Sequence, residues 1–243
     1  MLNTMQKNAK RISRECWLST KTIAQRTSNN IMSKPLIQLV FAVCFLPSLT
    51  NAEDWYRWRG PNLNGISKEQ AWSDRWPEDG PKIAWQANVG TGFSAVSVSN
   101  GRAFTIGNAD EKDTVWCLDV ATGKKLWSHT YDSPLEARFF EGGPTSTPTI
   151  DGDRVYTLGR QGDLFCFDTK SGQVVWSKNV AEEANVRLPG WGFSGSPLVH
   201  DDFLVLNVGE AGMALDKKTG KIRWQSEDKD AGYSTPIPVR LTV

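Results

Sequence analysis

One twelve-residue phrase recurs three times in this chain, and it constrains the fold more than any other feature. In each copy an Asp lies eight residues before a Trp, with a Thr-Gly or Ser-Gly pair between them. The copies span residues 116–127, 165–176 and 213–224, and their Asp residues are 49 and then 48 residues apart. Such self-similarity is typical of solenoids and propellers, in which each unit buries its faces against its neighbours.

The second copy, with the residues before it, divides into four short apolar runs. Residues 147–150, 154–158, 164–167 and 174–176 are separated by turn signals rich in Gly and Asp. Runs of this length with such turns predict consecutive antiparallel hairpins. The repeat is therefore predicted to be a four-stranded antiparallel blade, and no stretch of the chain predicts an amphipathic helix.

Each residue type in the phrase suits a structural role. An Asp can accept hydrogen bonds from the backbone of a tight loop, and a Gly there can adopt a positive φ. A Trp ring can fill the space between two blades while its N–H reaches a backbone carbonyl. We therefore predict that nine residues dock blade against blade: Asp119, Gly123, Trp127, Asp168, Gly172, Trp176, Asp216, Gly220 and Trp224.

The number of copies sets the extent of the predicted fold. Residues 82–85 match the end of a preceding blade, and residues 233–238 match the start of a following one. A closed ring of six to eight blades would need roughly 290–390 residues at this period. The sequence thus predicts an all-β chain, an incomplete β-propeller of four-stranded antiparallel blades with three full blades plus parts of two more. We expect the uncovered face of the third blade to favour self-association.

Residues 1–52 are interpreted as a leader, and residues 53–243 as the partial propeller. A short basic region, an apolar run over 35–46 and small residues before Glu53 predict a signal peptide cleaved after Ala52. The basic extension before it is explained by an upstream start codon, with Met32 as the true start. The apolar run is shorter than the about 18 residues that a spanning helix needs, so we expect no transmembrane span after cleavage. The protein is predicted to be periplasmic or secreted; an uncleaved signal anchor is the alternative.

The charge distribution argues against a nucleic-acid partner. Seven of the 28 Lys and Arg residues lie in the leader with one of the 27 acids, which leaves 21 basic and 26 acidic side chains in the body. Nucleic-acid-binding domains usually carry a basic patch or stripe. A body with a net charge of −5 and no basic stripe does not fit that class.

The repeat Asp-x-x-Thr-Gly-x-x-x-Trp resembles the β-propeller repeats named after pyrroloquinoline quinone (PQQ). These repeats occur in quinoprotein alcohol dehydrogenases and in a non-catalytic propeller lipoprotein of the outer-membrane assembly machinery. Residues 54–67, with Asp-Trp-x-x-Trp-Arg-Gly-Pro and Gly-Ile-Ser, are similar to the opening of a group of exported propellers common in planctomycete-type bacteria, as are residues 191–198 and 231–236. The resemblance covers about residues 54–238 and implies the propeller fold.

The quinoprotein branch of this resemblance implies PQQ, a Ca²⁺ held by carboxylate and amide oxygens, and an Asp base. It also leads us to look for a vicinal Cys pair, but the sequence has no Cys-Cys and no identifiable acid–amide ligand set. Cys117 and Cys166 hold equivalent repeat positions and are predicted to be buried apolar residues. His129 and His200 are expected at surface positions near strand ends. We assign no catalytic, cofactor-binding or metal-binding residue, and PQQ with Ca²⁺ is the alternative.

Two long loops between blades, residues 132–143 and 181–191, are expected on one rim of the propeller. Arg and aromatic residues are enriched at binding surfaces. The candidate partner-binding residues are Arg138, Phe139, Phe140, Arg187 and Trp191. The alternative is that these aromatic rings fold down as local plugs over the blades.

The leading functional hypothesis is a non-catalytic, exported binding or scaffold module. Its rim loops would contact a protein or polymer partner in the cell envelope. A fragment of a PQQ-dependent oxidoreductase is the alternative, and a truncated product with little activity is the third reading.

Overall fold

Three antiparallel sheets of four strands follow one another along the chain. The computed structural model describes residues 52–70, 72–137, 140–229 and 232–240, all within the unit Thr50–Val243. The first blade comprises β1 (Ser97–Ser99), β2 (Arg102–Ala109), β3 (Lys112–Asp119) and β4 (Lys125–Asp132). The second comprises β5 (Thr149–Asp151), β6 (Arg154–Leu158), β7 (Asp163–Asp168) and β8 (Val174–Asn179), and is followed by a short helix, α1 (Val180–Ala184). The third comprises β9 (Leu198–His200), β10 (Phe203–Leu206), β11 (Met213–Asp216) and β12 (Ile222–Gln225).

The predicted fold class is confirmed. Within each sheet every strand pairs with the next strand in the chain, so each blade is a meander of hairpins. The two flanking part-blades differ from the prediction, since residues 82–85 and 233–238 contain no strand. Neither segment is paired in a ladder with another described strand, and backbone donors and acceptors must be paired for a strand to form.

The helix α1 was not predicted. Asn179 lies at its N-terminus, and its side-chain oxygen accepts hydrogen bonds from the backbone N–H groups of Ala181 and Glu182 at 3.0 and 3.1 Å. The helix ends at Asn185, which has a φ of 51°. Five residues are too few to show a helical hydrophobic period, so the capping Asn179 was the available sequence signal.

The hydrophobic core lies between successive blades rather than within one. Strand side chains alternate between the two faces of a sheet, so one set faces the preceding blade and the other faces the following blade. The side chains buried between the first and second blades are Phe104, Ile106, Val115, Cys117, Trp127, Ile150, Val155 and Phe167. A second cluster lies between the second and third blades and takes in the buried side of α1.

The Asp of each repeat closes the loop before the last strand of its blade. In the second blade, Oδ1 of Asp168 accepts hydrogen bonds from the backbone N–H and the hydroxyl of Ser171, both at 2.8 Å. Gly172 donates its N–H to the Asp168 carbonyl and has a φ of 71°, which a side chain would penalise. The loops at Asp119 and Asp216 have the same arrangement.

The Trp of each repeat lies against the Gly of the next blade. Trp127 donates its indole N–H to the Thr169 carbonyl at 3.0 Å, and a Cβ added at Gly172 would lie 2.6 Å from the Trp127 ring. Equivalent contacts join Trp85 to Gly123 and Val120, and Trp176 to Gly220 and Lys217. Trp224, the last Trp of the series, is 52% exposed.

The segment before the first blade crosses the first strands of two blades. Val98 of β1 donates its N–H to the Trp55 carbonyl at 2.9 Å, and Ile150 of β5 donates to the Tyr56 carbonyl at 2.8 Å. The motif that resembles the opening of exported propellers therefore ties the first and second blades together. None of the helices in the described ranges has the length and apolar character needed to cross a bilayer.

Candidate functional site

An exposed row of three aromatic rings lies on the two long loops and the segment before β1. The Phe140 and Trp191 ring centroids are 5.5 Å apart, with the rings tilted by 40°. Phe93 adds an edge-to-face contact to Phe140, also at 5.5 Å. Phe93 and Trp191 are 54% and 40% exposed, and Phe140 is half-buried between them. We call these three residues the aromatic row.

The structure brings together two of the predicted rim residues, Phe140 and Trp191. Arg187 is exposed on the same loop as Trp191, whereas Arg138 and Phe139 lie outside the described residues. Sequence reasoning missed Phe93. Its neighbourhood Gly-Phe-Ser at 92–94 repeats at 192–194, which was an available signal.

Arg160 contacts both long loops. This residue was not identified from the sequence. It lies in the β6–β7 turn and is only 3% exposed. Its guanidinium donates to the Leu135 carbonyl at 3.2 Å and to Oε2 of Glu136 at 3.0 Å, both in the first loop. It also donates from Nε to the Trp191 carbonyl in the second loop at 3.1 Å.

The same guanidinium lies over the Phe140 ring, with 5.6 Å from Cζ to the ring centroid. A planar guanidinium suits this combination of forked hydrogen bonding and stacking, which a Lys ammonium cannot reproduce. Gln161 adds a hydrogen bond to the other oxygen of Glu136 at 3.1 Å. Because one buried cation contacts both loops, it holds Phe140 and Trp191 in a fixed arrangement relative to each other.

Phe193, two residues after Trp191, was not a candidate and points into the core instead of the surface. This residue is buried in the cluster between the second and third blades. A Cβ at the adjacent Gly192, whose φ is 70°, would lie 2.8 Å from the Arg160 backbone oxygen and Cβ. The loop therefore turns tightly over Arg160, so that Phe193 points inward while Trp191 stays at the surface.

A buried polar network anchors the first loop to the β2–β3 hairpin. Asn108 donates its two amide protons to Oδ1 of Asp113 at 2.7 Å and to the Ser133 carbonyl at 2.9 Å. Burial raises the pKa of Asp113 above its ordinary value, although hydrogen bonds from Asn108, Ser133 and Tyr131 and the charge of Arg160 oppose that rise. At the end of the hairpin, Glu111 accepts a hydrogen bond from the Leu135 N–H at 2.9 Å.

The thiols and imidazoles do not come together. Burial raises the pKa of Cys117 to about 12 and that of Cys166 to about 11, so both remain protonated thiols at neutral pH. The expectation of a surface position fits His200 but is wrong for His129, which lies within β4 and packs against Phe165 and Phe167 at 5.0 and 5.1 Å. Over the described ranges, no three His, Cys, Asp or Glu side chains are grouped so as to hold a metal ion.

A second surface is the uncovered face of the third blade. It forms a cavity of about 760 Å³ lined by Phe203, Val205, Ala214 and Trp224, with the loop of Asp216 at its edge. Val205 and Ala214 are opposite each other in the ladder, as are Ala214 and Trp224. These positions match those that face the next blade in the first and second blades.

Comparison with known proteins assigns the family. The family model described as outer membrane protein assembly factor BamB matches residues 111–241, which is more than half of the chain. The chain belongs to the BamB family. The match spans the second and third blades and the end of the first.

Two kinds of known protein are similar to this chain in sequence. BamB of Aliivibrio fischeri is 27% identical over 154 residues, covering 49% of this chain and 40% of the relative. The dehydrogenase subunit of the quinone alcohol dehydrogenase of Gluconacetobacter polyoxogenes is 27% identical over 163 residues, covering 59% of this chain and 21% of the relative. The chain therefore spans less than half the length of either relative.

Among solved structures, BamB of Moraxella catarrhalis is similar to this chain at 23% identity with a TM-score of 0.46. The match covers 66% of this chain and 48% of that one.

Proposed function

We propose that this chain is a non-catalytic, exported binding module whose aromatic row contacts a protein or polymer partner in the cell envelope. The observation that carries the proposal is Arg160, a buried cation that contacts both long loops and one ring of the row. A surface built from rigid aromatic rings orders few rotatable bonds on binding, so it retains more of its contact energy. Membership of the BamB family supports the same reading, since relatives of that name are assembly factors of outer-membrane proteins.

Export is part of this proposal. The signal-peptide pattern before Glu53, with Met32 as the start and cleavage after Ala52, supports a periplasmic or secreted location. N-terminal sequencing of the protein recovered from the envelope fraction tests it. Recovery of a chain that begins at Glu53 is expected, and a chain that begins at Met1 in the cytoplasmic fraction contradicts it.

We also infer that the nine repeat residues act in blade docking, as their Asp loops and Trp–Gly contacts support. The uncovered face of the third blade presents Trp224 and Phe203, and exposed apolar patches favour association. Self-association through this face is therefore expected in a dilution series followed by light scattering. A monodisperse monomer at all concentrations contradicts it.

Site-specific photocrosslinking tests the binding proposal. Benzoylphenylalanine placed at position 191 should give a discrete crosslinked product in cells, because it retains an aromatic ring in the row. Phe93→Ala with Phe140→Ala should reduce that product by about tenfold or more, the size of effect expected for aromatic hot-spot residues. The same label at the exposed Trp72, outside the row, is the matched control. Equal products from both positions, or a product unaffected by the two substitutions, contradict the proposal.

The alternative is a fragment of a PQQ-dependent oxidoreductase. The alignment with the quinone alcohol dehydrogenase subunit, over 59% of this chain, favours it. Stoichiometric uptake of PQQ with Ca²⁺, followed by alcohol-dependent reduction of a dye, would establish this function in place of the binding module.

A further inference from the structure

The uncovered face of the third blade differs at one corner from the equivalent faces of the other two blades. In the second blade, Arg154 lies opposite Asp168 in the ladder and donates to its carboxylate at 3.3 Å. Arg102 holds the equivalent position in the first blade. In the third blade this position, opposite Asp216, is taken by Phe203, which is 44% exposed. The third blade therefore presents an apolar ring where the other two blades present a cation.

The same face has a hollow beside its exposed Trp. Val205, Ala214 and Trp224 lie at one level of the ladder, on neighbouring strands. The position of Val205 is filled by the larger Phe104 in the first blade and by Tyr156 in the second. Small side chains next to an exposed Trp leave a cavity of about 760 Å³, which has room for an aromatic ring.

Two exposed side chains of opposite charge lie at one end of this face. Asp202 is in the turn before β10, Lys218 is in the loop between β11 and β12, and both line the cavity. Among the described residues, neither side chain has a hydrogen bond or an ion pair. Arg223, the other cation at the edge, is already bonded to Asp216 at 2.8 Å. Asp202 and Lys218 are therefore available to pair with charges on a bound protein.

The geometry points to a second copy of this chain as the occupant, bound face to face about a two-fold axis that runs along β11. Such an axis exchanges β10 of one copy with β12 of the other. Trp224 of each copy then lies over Val205 of the partner subunit, and Asp202 lies over the loop that carries Lys218 of the partner subunit. The ring fits the hollow and the charges are opposite, so the face is complementary to itself, as a two-fold interface requires. This inference rests on the proposed self-association and adds its geometry and its stoichiometry.

The alternative arrangement of copies, head to tail, is blocked at the first blade. Head-to-tail docking would place Trp224 on the Gly loop of the first blade of the next copy. That loop is already covered, because the Trp85 indole N–H donates to the Val120 carbonyl at 2.8 Å and a Cβ added at Gly123 would lie 2.5 Å from the Trp85 ring. Head-to-tail contacts can build open filaments, whereas a two-fold contact closes after two copies. We therefore expect a dimer and no larger species.

The size of the face sets the expected affinity. Its four strands are three to four residues long, and at about 4.8 Å between strands they span roughly 20 by 14 Å. This is well below the about 800 Å² that each partner contributes to a stable complex. The dimer should therefore be weak, with a dissociation constant in the micromolar range.

Sedimentation equilibrium of the chain recovered from cells, over a micromolar concentration series, tests the dimer and its apolar contact. Phe203→Arg introduces the residue type that the first two blades have, so the blade should still fold. This variant and Trp224→Ala should each raise the dissociation constant by about tenfold or more, as expected for aromatic residues at the centre of an interface.

A charge exchange tests the two-fold geometry itself. Asp202→Lys and Lys218→Asp should each raise the dissociation constant by about three- to tenfold, because each variant places like charges opposite one another twice. An equimolar mixture of these two variants should form a dimer about as tight as that of the natural chain, since both contacts again join opposite charges. Asp201→Lys is the matched control, because Asp201 is the exposed neighbour of Asp202 and is outside the cavity lining. It should leave the dissociation constant unchanged at physiological salt.

The possible results separate this inference from the proposed self-association. Species that keep growing with concentration, or a mixture no tighter than its two components, overturn the two-fold dimer and leave self-association standing. A monomer at every concentration overturns both. Benzoylphenylalanine at position 203 should crosslink two copies of the chain in cells, and a product with a different protein instead overturns the second copy as the occupant.

Discussion

Two surfaces of the molecule use equivalent positions of the repeat. One is the packed interface between the first and second blades, which we call the seam, and the other is the solvent-exposed face of the third blade. Phe104, Cys117 and Trp127 face the second blade and are nearly inaccessible to solvent. The equivalent positions of the third blade are Val205, Ala214 and Trp224, which line an open cavity. The repeat therefore specifies a surface that a neighbouring blade completes.

The contacts of Trp127 show what the neighbouring blade adds. Trp127 gains a hydrogen bond to the Thr169 carbonyl at 3.0 Å and a tilted ring contact with Phe167 at 5.6 Å. Within residues 52–70, 72–137, 140–229 and 232–240, no side chain makes such a contact with Trp224, which is 52% exposed. Because burial of apolar area is the main source of stability, the two Trp residues should differ widely in what they contribute.

The largest expected effect is the loss of the buried Trp. Trp127→Ala should lower the free energy of unfolding by about 3–5 kcal/mol, since it removes buried area and leaves a cavity. Trp224→Ala should cost less than about 1 kcal/mol, as for exposed residues in general. Urea denaturation of both variants at low protein concentration measures the difference. Similar decreases in the free energy of unfolding for the two variants would show that packing against the next blade does not stabilise Trp127.

The next largest effect comes from adding a Cβ at a glycine of positive φ. Two glycines separate the cost of the contact with the Trp ring from the cost of backbone strain. Gly172→Ala introduces a Cβ both at a φ of 71° and within 2.6 Å of the Trp127 ring. Gly152→Ala has a comparable φ of 61° but nothing within 4 Å of the added Cβ. We expect Gly152→Ala to cost about 1–2 kcal/mol and Gly172→Ala to cost at least about 1 kcal/mol more. Equal costs in urea denaturation would mean that the ring yields freely.

Lowering the pH should reduce the stability of the protein through His129, which lies in the seam, and not through His200 in the third blade. Burial among the rings of Phe165 and Phe167 lowers the pKa of His129. The unfolded chain therefore binds a proton first, and stability falls as the pH drops from about 6.5 toward the lower pKa of the folded state. His129→Phe should remove this loss in urea midpoints measured across that range, whereas His200→Phe, at the exposed end of β9, should retain it.

The smallest expected effect concerns the Asp loops, which the second and third blades both have. Hydrogen bonds from Ser171 lower the pKa of Asp168, and hydrogen bonds from Arg223 and Thr219 lower that of Asp216. Each carboxylate stabilises the fold above its unfolded pKa of about 3.9, and this contribution is lost as the pH falls through the lower folded value. Asp168→Asn and Asp216→Asn should both flatten the acid limb of the stability curve, and Asp216→Asn should do so more, because Arg223 adds a charged donor to its carboxylate. A much larger change for Asp168 would mean that its loop depends on the neighbouring blade.

The blades were predictable from sequence because their signals are local. Strand period, Gly and Asp turn residues and the spacing from Asp to Trp lie within one repeat, and each was read at its own position. The helix α1 was missed because five residues carry no helical period. Residues 82–85 and 233–238 match the repeat in sequence but form no strand in the described part of the chain.

The sequence predicted two residues of the candidate site, Phe140 and Trp191, but not Phe93 or Arg160. Phe140 and Trp191 follow from loop length and composition, whereas Arg160 lies in the four-residue turn between β6 and β7, where a charged residue is normally solvated. Its burial results from three acceptors that come from segments 24 to 31 residues away, and no local pattern encodes that convergence. His129 was assigned to the surface for the same reason, because its neighbours belong to the next blade.

A double-mutant cycle tests most directly whether the Trp of one blade lies on the Gly of the next. Gly172→Ala is measured in the natural chain and in Trp127→Ala, and the two costs in unfolding free energy are compared. Once the ring is absent, the cost should fall to that of Gly152→Ala, a coupling of at least about 1 kcal/mol. Costs that agree within about 0.5 kcal/mol in the two backgrounds would show that the residues act independently, and would contradict the account.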